Sequence, residues 1–307
     1  MACLECSVAG LMGLPLFNSS KAAFCTCLPK YNLNTYLGRC AHQCIYCYAV
    51  KFPSFVGAAL PRTKLLENIE NMARNTKLKL PVMMSDCTDP YQPLEKKHEI
   101  TRKCAEVLAK HGFPLFVVTK SDLVTRDIDI FKRTQTVVAV TITTPREEIA
   151  RFIEPYAPPP ERRISALQEI TDQGIVAVAR VDPIIPSVND DEKDFERLVS
   201  TLADVSVRQV TVATMKPVKG FFSSLKEANP QVYEKLRNEY SDGTWIMGYK
   251  YLREEKRRRI LERLRMIVLK HGLKFASCRE GFPQLNTSLC DGTAYCRGLL
   301  NSYFERH

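Results

Sequence analysis

No apolar run in this sequence approaches the length of a membrane span. The longest early one, Val8 to Phe17, is interrupted by Pro15 and lacks a basic leader, whereas a span needs roughly 20 apolar residues. Neither export nor membrane insertion is expected. A phosphate-cradling loop and a dinucleotide fingerprint are both missing, so nucleotide-driven and nicotinamide chemistry have no support. Histidine is sparse. His42, His98, His111, His271 and His307 are scattered and suggest neither a catalytic triad nor a histidine-rich metal centre. Acidic residues are also in deficit, 34 against 44 lysines and arginines, for a formal charge of +10. That excess favours polyanions, of which nucleic acid is the commonest, although many basic proteins bind none.

Cysteine, by contrast, is plentiful, with 12 in 307 residues. Without a secretory leader this points to a reducing cytoplasm, where thiols serve metals rather than disulfides. Hydrophobic content of 45% and charged content of 25% are ordinary for a globular chain. The length suits one large α/β domain with a tail.

The organising stretch is Cys40-Ala-His-Gln-Cys44-Ile-Tyr-Cys47. Three thiolates at this spacing can hold three corners of an iron-sulfur cube and leave one iron open to a small molecule. Zinc is the competing reading, but structural zinc normally takes four ligands in paired clusters. His42 as a fourth ligand is awkward in so tight a loop. Three cysteines in eight residues also cannot pair evenly as disulfides.

From Leu33 onward short apolar runs alternate with amphipathic segments, as βα units do around a parallel sheet. Strands are expected near 33–38, 81–85, 115–119, 137–142, 176–181 and 209–214, and helices near 61–75, 95–111, 122–133, 160–173 and 190–206. Pro61, Pro93, Ser121, Pro160 and Asn189 supply the helix starts. Six such units form an open three-quarter barrel, with chemistry at the carboxyl ends of the strands.

The chain divides into an N-terminal arm over 1–30 with Cys3, Cys6, Cys25 and Cys27, a partial barrel over 31–216, and a basic helical extension over 217–307. In that extension Tyr251 to His271 reads as a long helix. Its apolar stripe is Ile260, Leu261, Leu264, Ile267 and Val268, and Arg253, Lys256, Arg257, Arg258, Arg259, Arg263 and Arg265 crowd its other surface. That basic surface is where phosphate contacts are expected. Cys278, Cys290 and Cys296 follow among turn residues and are candidate ligands of an auxiliary iron-sulfur cluster or zinc. Either Cys3, Cys6, Cys25, Cys27 or Cys87 supplies a fourth thiol, or the fourth position is open for substrate. Ordinary buried thiols are the bland alternative.

The cysteine loop, with Tyr46 before its last thiol, resembles that of the radical S-adenosylmethionine (SAM) superfamily. The wider string Tyr36-Leu-Gly-Arg-Cys-Ala-His-Gln-Cys-Ile-Tyr-Cys-Tyr-Ala is similar to the spore photoproduct lyase-like branch. Ser85-Asp-Cys-Thr-Asp-Pro-Tyr, Thr119-Lys-Ser-Asp, Val140-Thr-Ile-Thr-Thr, Glu154-Pro-Tyr-Ala-Pro and Asp182-Pro-Ile-Ile-Pro extend the resemblance in order. It implies an α/β fold, a partial (β/α)6 TIM-type barrel. It also implies a [4Fe-4S] cluster on Cys40, Cys44 and Cys47, with SAM cleaved to a 5′-deoxyadenosyl radical that abstracts hydrogen. Tyr46, Ser85, Asp86, Lys120 and Thr143 fall where relatives meet SAM. Cys87 resembles a hydrogen-donating cysteine, with Tyr48 and Tyr91 as relay candidates, though core packing is the plainer role of either tyrosine. An electron donor such as a ferredoxin or flavodoxin is also implied.

The expected substrate is a nucleic acid base, in lesion repair or modification of DNA or RNA. Two alternatives stand beside it: sulfur or carbon insertion into a small molecule or peptide, and a non-catalytic, metal-stabilised nucleic-acid-binding module.

Overall fold

The computed structural model describes residues 13–17, 19 and 22–296, so Cys3 and Cys6 lie outside the described residues. Seven parallel strands form the central sheet: β1 (Tyr31–Leu33), β2 (Val82–Met84), β3 (Leu115–Thr119), β4 (Thr136–Thr141), β5 (Val176–Ile184), β6 (Gln209–Thr214) and β7 (Lys274–Ser277). They pair in sequence order, from Tyr31 against Val82 at one end to Lys274 against Gln209 at the other. Strands covered on both faces read as continuous apolar runs, and every residue of β4 and of β6 is buried. β1 and β7 do not pair with each other. The sheet therefore curves into an open barrel.

The crossover segments include α1 (Thr63–Asn75), α2 (Ile100–Lys110), α3 (Pro160–Asp172) and α4 (Glu192–Asp204). Their boundaries follow local chemistry. Pro160 opens α3, where a missing N–H costs nothing, and Asp191 caps α4 by accepting from the Asp194 N–H at 2.9 Å. The larger core fills the space between sheet and helices. Alternate strand residues Met83, Phe116, Val137, Ala139 and Val178 form a separate inner cluster, joined by Cys296.

Three features differ from the sequence reading. The expected first strand over 33–38 is two pieces, β1 and the pair Tyr36–Leu37, which runs antiparallel to Leu60–Pro61. The sheet also takes a seventh strand. After α5 (Phe221–Ala228) and α6 (Pro230–Glu239), α7 (Glu254–Lys270) packs Ile260, Leu261, Leu264, Ile267 and Val268 inward and leads into β7, so the expected extension contributes a further α/β unit.

Finally, the basic residues along α7 are not one uniform exposed face, although Arg259 is exposed. Arg257 is buried, donating to the Leu252 carbonyl at 3.0 Å and to the Glu280 carbonyl. Arg253 pairs with Glu255 at 2.8 Å, Arg263 with Glu192 at 3.6 Å, Arg258 with Glu262 at 3.9 Å, and Lys256 with Glu239. Arg265 donates to the Leu285 carbonyl at 2.9 Å. Counting charges along a helix does not reveal which of them acids on neighbouring elements have already claimed.

Candidate active site at the carboxyl ends of the strands

The cysteine loop leaves the first ribbon through Gly38, whose φ is +71°. A Cβ there would lie 1.8 Å from the Ala58 carbonyl oxygen, so only glycine lets the chain pass. A turn closes from the Gln43 N–H to the Cys40 carbonyl at 3.1 Å, and a second from the Cys47 N–H to the Cys44 carbonyl at 3.2 Å. The loop is then tied outward, the Ala41 N–H to Gln92 at 3.0 Å and the Ile45 N–H to the Ile153 carbonyl at 3.0 Å. Cys44 is buried, and Cys40 and Cys47 are half-buried. Burial pushes the Cys40 thiol up to about 12, with Asp89 adding to the effect. Burial likewise raises Cys44, while Lys120 draws it back down.

His42 is not offered to a metal. Its Nδ1 lies 3.1 Å from the Tyr156 carbonyl and its Nε2 3.3 Å from Asp89. Asp89 also accepts from the Thr119 hydroxyl at 2.6 Å and the Lys120 N–H at 2.7 Å. Burial opposes its charge, yet His42 and these donors hold its carboxyl down at about 2. Asp89 thereby clamps the cysteine loop to the end of β3.

Glu154 makes a second clamp. It accepts from the Tyr46 hydroxyl and, at 2.5 Å, from Arg163, with both charged side chains essentially without exposure. Arg163 also donates to the Thr141 carbonyl at 3.1 Å and the Pro158 carbonyl at 2.6 Å. Lys120 sits 5.7 Å from the centre of the Tyr46 ring, with Cys44, Glu154 and Asp89 keeping its ammonium charged against burial. Asp89, Glu154 and Arg163 carry no role in the sequence reading. For Glu154 the one available signal was an acid at the head of an otherwise uncharged Pro-Tyr-Ala-Pro motif.

The other side of the site is built on Asn34, just past β1. Its amide donates to Asp86 at 2.9 Å, and its oxygen accepts from the Asp86 N–H at 3.3 Å and the Cys87 N–H at 3.4 Å. The Tyr48 hydroxyl donates to the Asp86 carbonyl at 2.5 Å. Burial raises the Tyr48 phenol, and the Cys87 thiol beside it raises it further. Cys47, Tyr48 and Cys87 therefore form one neighbourhood. Tyr91 lies outside it, donating to Asp127 at 2.9 Å in a buried ion-pair network.

Two of the expected SAM contacts supply a test of fit. Ser85, at φ +66°, and Thr143 are both buried, and neither hydroxyl has a hydrogen-bond partner among the described residues. Buried hydroxyls are normally satisfied, so a polar ligand at these strand ends would supply what each lacks. No three His, Cys, Asp or Glu side chains converge as ligands of a single ion among the described residues. Thiolates that each take a different iron of a cube have no need to converge. The residues present fit the cluster and SAM.

Of the three candidate auxiliary ligands, Cys278 and Cys290 come together, while Cys296 packs in the inner apolar cluster.

Comparison with known proteins agrees with this geometry. The model of the Radical SAM superfamily matches residues 35–199. An uncharacterized protein of Methanocaldococcus jannaschii is 32% identical over 214 residues, 68% of this chain and 80% of that one. A spore photoproduct lyase variant solved with dinucleoside spore photoproduct shares the fold at TM-score 0.64 and 15% identity, over 78% of this chain and 74% of that one. SuiB of Streptococcus suis, solved bound to S-adenosylmethionine, aligns at TM-score 0.54 and 13% identity, over 86% of this chain and 55% of that one. With three thiols in one strand-end loop, unsatisfied hydroxyls across from them and more than half the length matched, the chain belongs to the radical SAM superfamily.

Proposed function

We propose that this protein cleaves SAM reductively and abstracts hydrogen from a nucleic acid base, in lesion repair or base modification. When bound, the reduced cluster and SAM supply a 5′-deoxyadenosyl radical able to attack an otherwise inert carbon. Cys40, Cys44 and Cys47 would hold the cluster. Ser85, Asp86, Lys120 and Thr143 would bind the polar groups of SAM, with Tyr46 packing beside the adenine.

The observation that carries the base-directed reading is the bond of the Tyr48 hydroxyl to the Asp86 carbonyl at 2.5 Å, which sets Tyr48, directly after Cys47, next to Cys87. A weak S–H bond beside a phenol can return a hydrogen atom to a product radical, which is the task a cysteine performs in spore photoproduct lyases. The formal charge of +10 suits a polyanionic substrate.

Anaerobically reconstituted protein with dithionite should convert SAM to 5′-deoxyadenosine, faster when nucleic acid is added. C40A, C44A and C47A should each abolish this. C87A and Y48F should leave SAM cleavage intact and cut formation of the modified base. Absence of 5′-deoxyadenosine would sink the enzymatic reading. Turnover indifferent to DNA and RNA but stimulated by a peptide would move the substrate to the peptide class, SuiB having also been solved bound to precursor peptide SuiA.

A further inference from the structure

Away from the cysteine loop, four thiols from the two ends of the described chain meet. Cys27 Sγ lies 3.8 Å from Cys290 Sγ. Cys25 stands beside Cys27, and Cys278 beside Cys290. We infer that Cys25, Cys27, Cys278 and Cys290 are the ligands of a second, thiolate-only metal centre.

Several observations converge on that assignment. Hydrogen bonds fix the backbone of three of the four: the Cys278 N–H donates to the Val212 carbonyl at 2.9 Å, the Cys290 carbonyl accepts from Thr211 at 2.8 Å, and the Cys25 N–H donates to the Ala22 carbonyl at 3.1 Å. Four zinc–sulfur bonds of about 2.3 Å in a tetrahedron put neighbouring sulfurs about 3.8 Å apart, which is the Cys27–Cys290 separation. Cations face the sulfurs: Lys30 lies beside Cys27, and Arg180 and Arg279 beside Cys278. Asp291 pairs with Lys30 and Asp182 with Arg180, each at 2.6 Å.

No three of these sulfurs point at one centre as they stand, so loading would turn side chains about χ1. Metal binding releases the thiol protons to solvent and oxidises nothing. Cys25 and Cys27 precede β1, and Cys278 follows β7. One metal would thus tie together segments next to the two edge strands of the sheet.

The test uses the full-length C40A/C44A/C47A protein, purified anaerobically, so that iron from the first site cannot contribute. Elemental analysis should find about one zinc per chain, or iron with matching sulfide. X-ray absorption at that metal's edge should show four sulfur ligands, at about 2.3 Å for zinc. Adding C27S/C290S should remove the metal, and adding C296S should leave it. A metal-free triple variant, a metal that survives C27S/C290S, or a Cys27–Cys290 disulfide found by mass spectrometry would each overturn the assignment. If C27S/C290S does not fold, the ligand count in the triple variant decides alone. Formation of 5′-deoxyadenosine by the unmutated protein is a separate readout, so failure here and failure of the radical reading are distinguishable.

Discussion

Removing the Glu154 carboxylate should be among the most damaging single changes outside the cysteine loop. Glu154 and Arg163 are 0% and 1% exposed, with Nη1 and Oε2 2.5 Å apart. Breaking a buried pair from one side leaves a charge that neither solvent nor a partner compensates, at about 3–5 kcal/mol. Arg163 would keep its two carbonyl acceptors, but its Nη2 already lacks a partner among the described residues, so no spare bond absorbs the loss. At a urea m value of about 3 kcal/mol per molar, E154A should lower the unfolding midpoint by roughly 1–1.7 M. E154Q keeps the shape and should cost less, about 1.5–3 kcal/mol.

The double variant E154M/R163M removes both charges at similar volume and should be more stable than either single change. Tyr46 shares the carboxylate, so E154A should also retain less iron after reconstitution. Burial alone would raise the Glu154 pKa, but Arg163 and Lys120 hold it below the ordinary 4.5. Its contribution is therefore complete above that pH and fades as pH falls through the depressed value, where wild type and E154Q should converge. A midpoint shift under about 0.3 M for E154A, or a double variant weaker than both singles, would refute the reasoning.

Ser85 and Thr143 give the opposite pattern. S85A and T143V remove hydroxyls that have no hydrogen-bond partner among the described residues, so unfolding should shift by less than about 0.5 kcal/mol. The KM for SAM in the 5′-deoxyadenosine assay should rise about 5- to 20-fold, one lost hydrogen bond each. Gly292 sits at φ +77°, and a Cβ there would lie 2.9 Å from Val178 and 3.3 Å from Val137. G292A should cost about 2–4 kcal/mol from strain and overpacking, read as a thermal midpoint about 4–8 °C lower. R257Q empties a buried site among Phe24, Tyr251 and Phe282 and should destabilise by about 2–4 kcal/mol. R259Q should change stability by less than about 0.5 kcal/mol, which makes it the usable probe of salt-dependent nucleic acid retention.

The cysteine loop and the alternation of strands and helices were legible because each is a local pattern. Helices expected near 61–75, 160–173 and 190–206 are found at Thr63–Asn75, Pro160–Asp172 and Glu192–Asp204. β7 escaped notice because four residues carry little periodicity, although α7 followed by Gly272 and an apolar Phe275-Ala repeats the pattern of the earlier units. What depends on distant partners was not legible. Arg257 looks like its neighbours until Leu252 and Glu280 enclose it. No spacing rule distinguishes Cys296 from Cys27 as the companion of Cys290, because the choice is made by a contact across 263 positions. Asp89 and Glu154 lay inside quoted motifs, but a carboxylate gains its role only when His42, Lys120, Tyr46 and Arg163 arrive from other strand ends.

The segment around Gly292 and Cys296 has a mechanical consequence for any substrate. It lies against Val137 and Val178, near the amino ends of their strands, and so stoppers the bore from below. Among the described residues this leaves the opposite rim, where the cysteine loop stands, as the side from which a reacting atom would be presented. A stacked base inside an intact duplex could not descend that far, so a double-stranded target would have to swing a nucleotide out of its helix before chemistry begins.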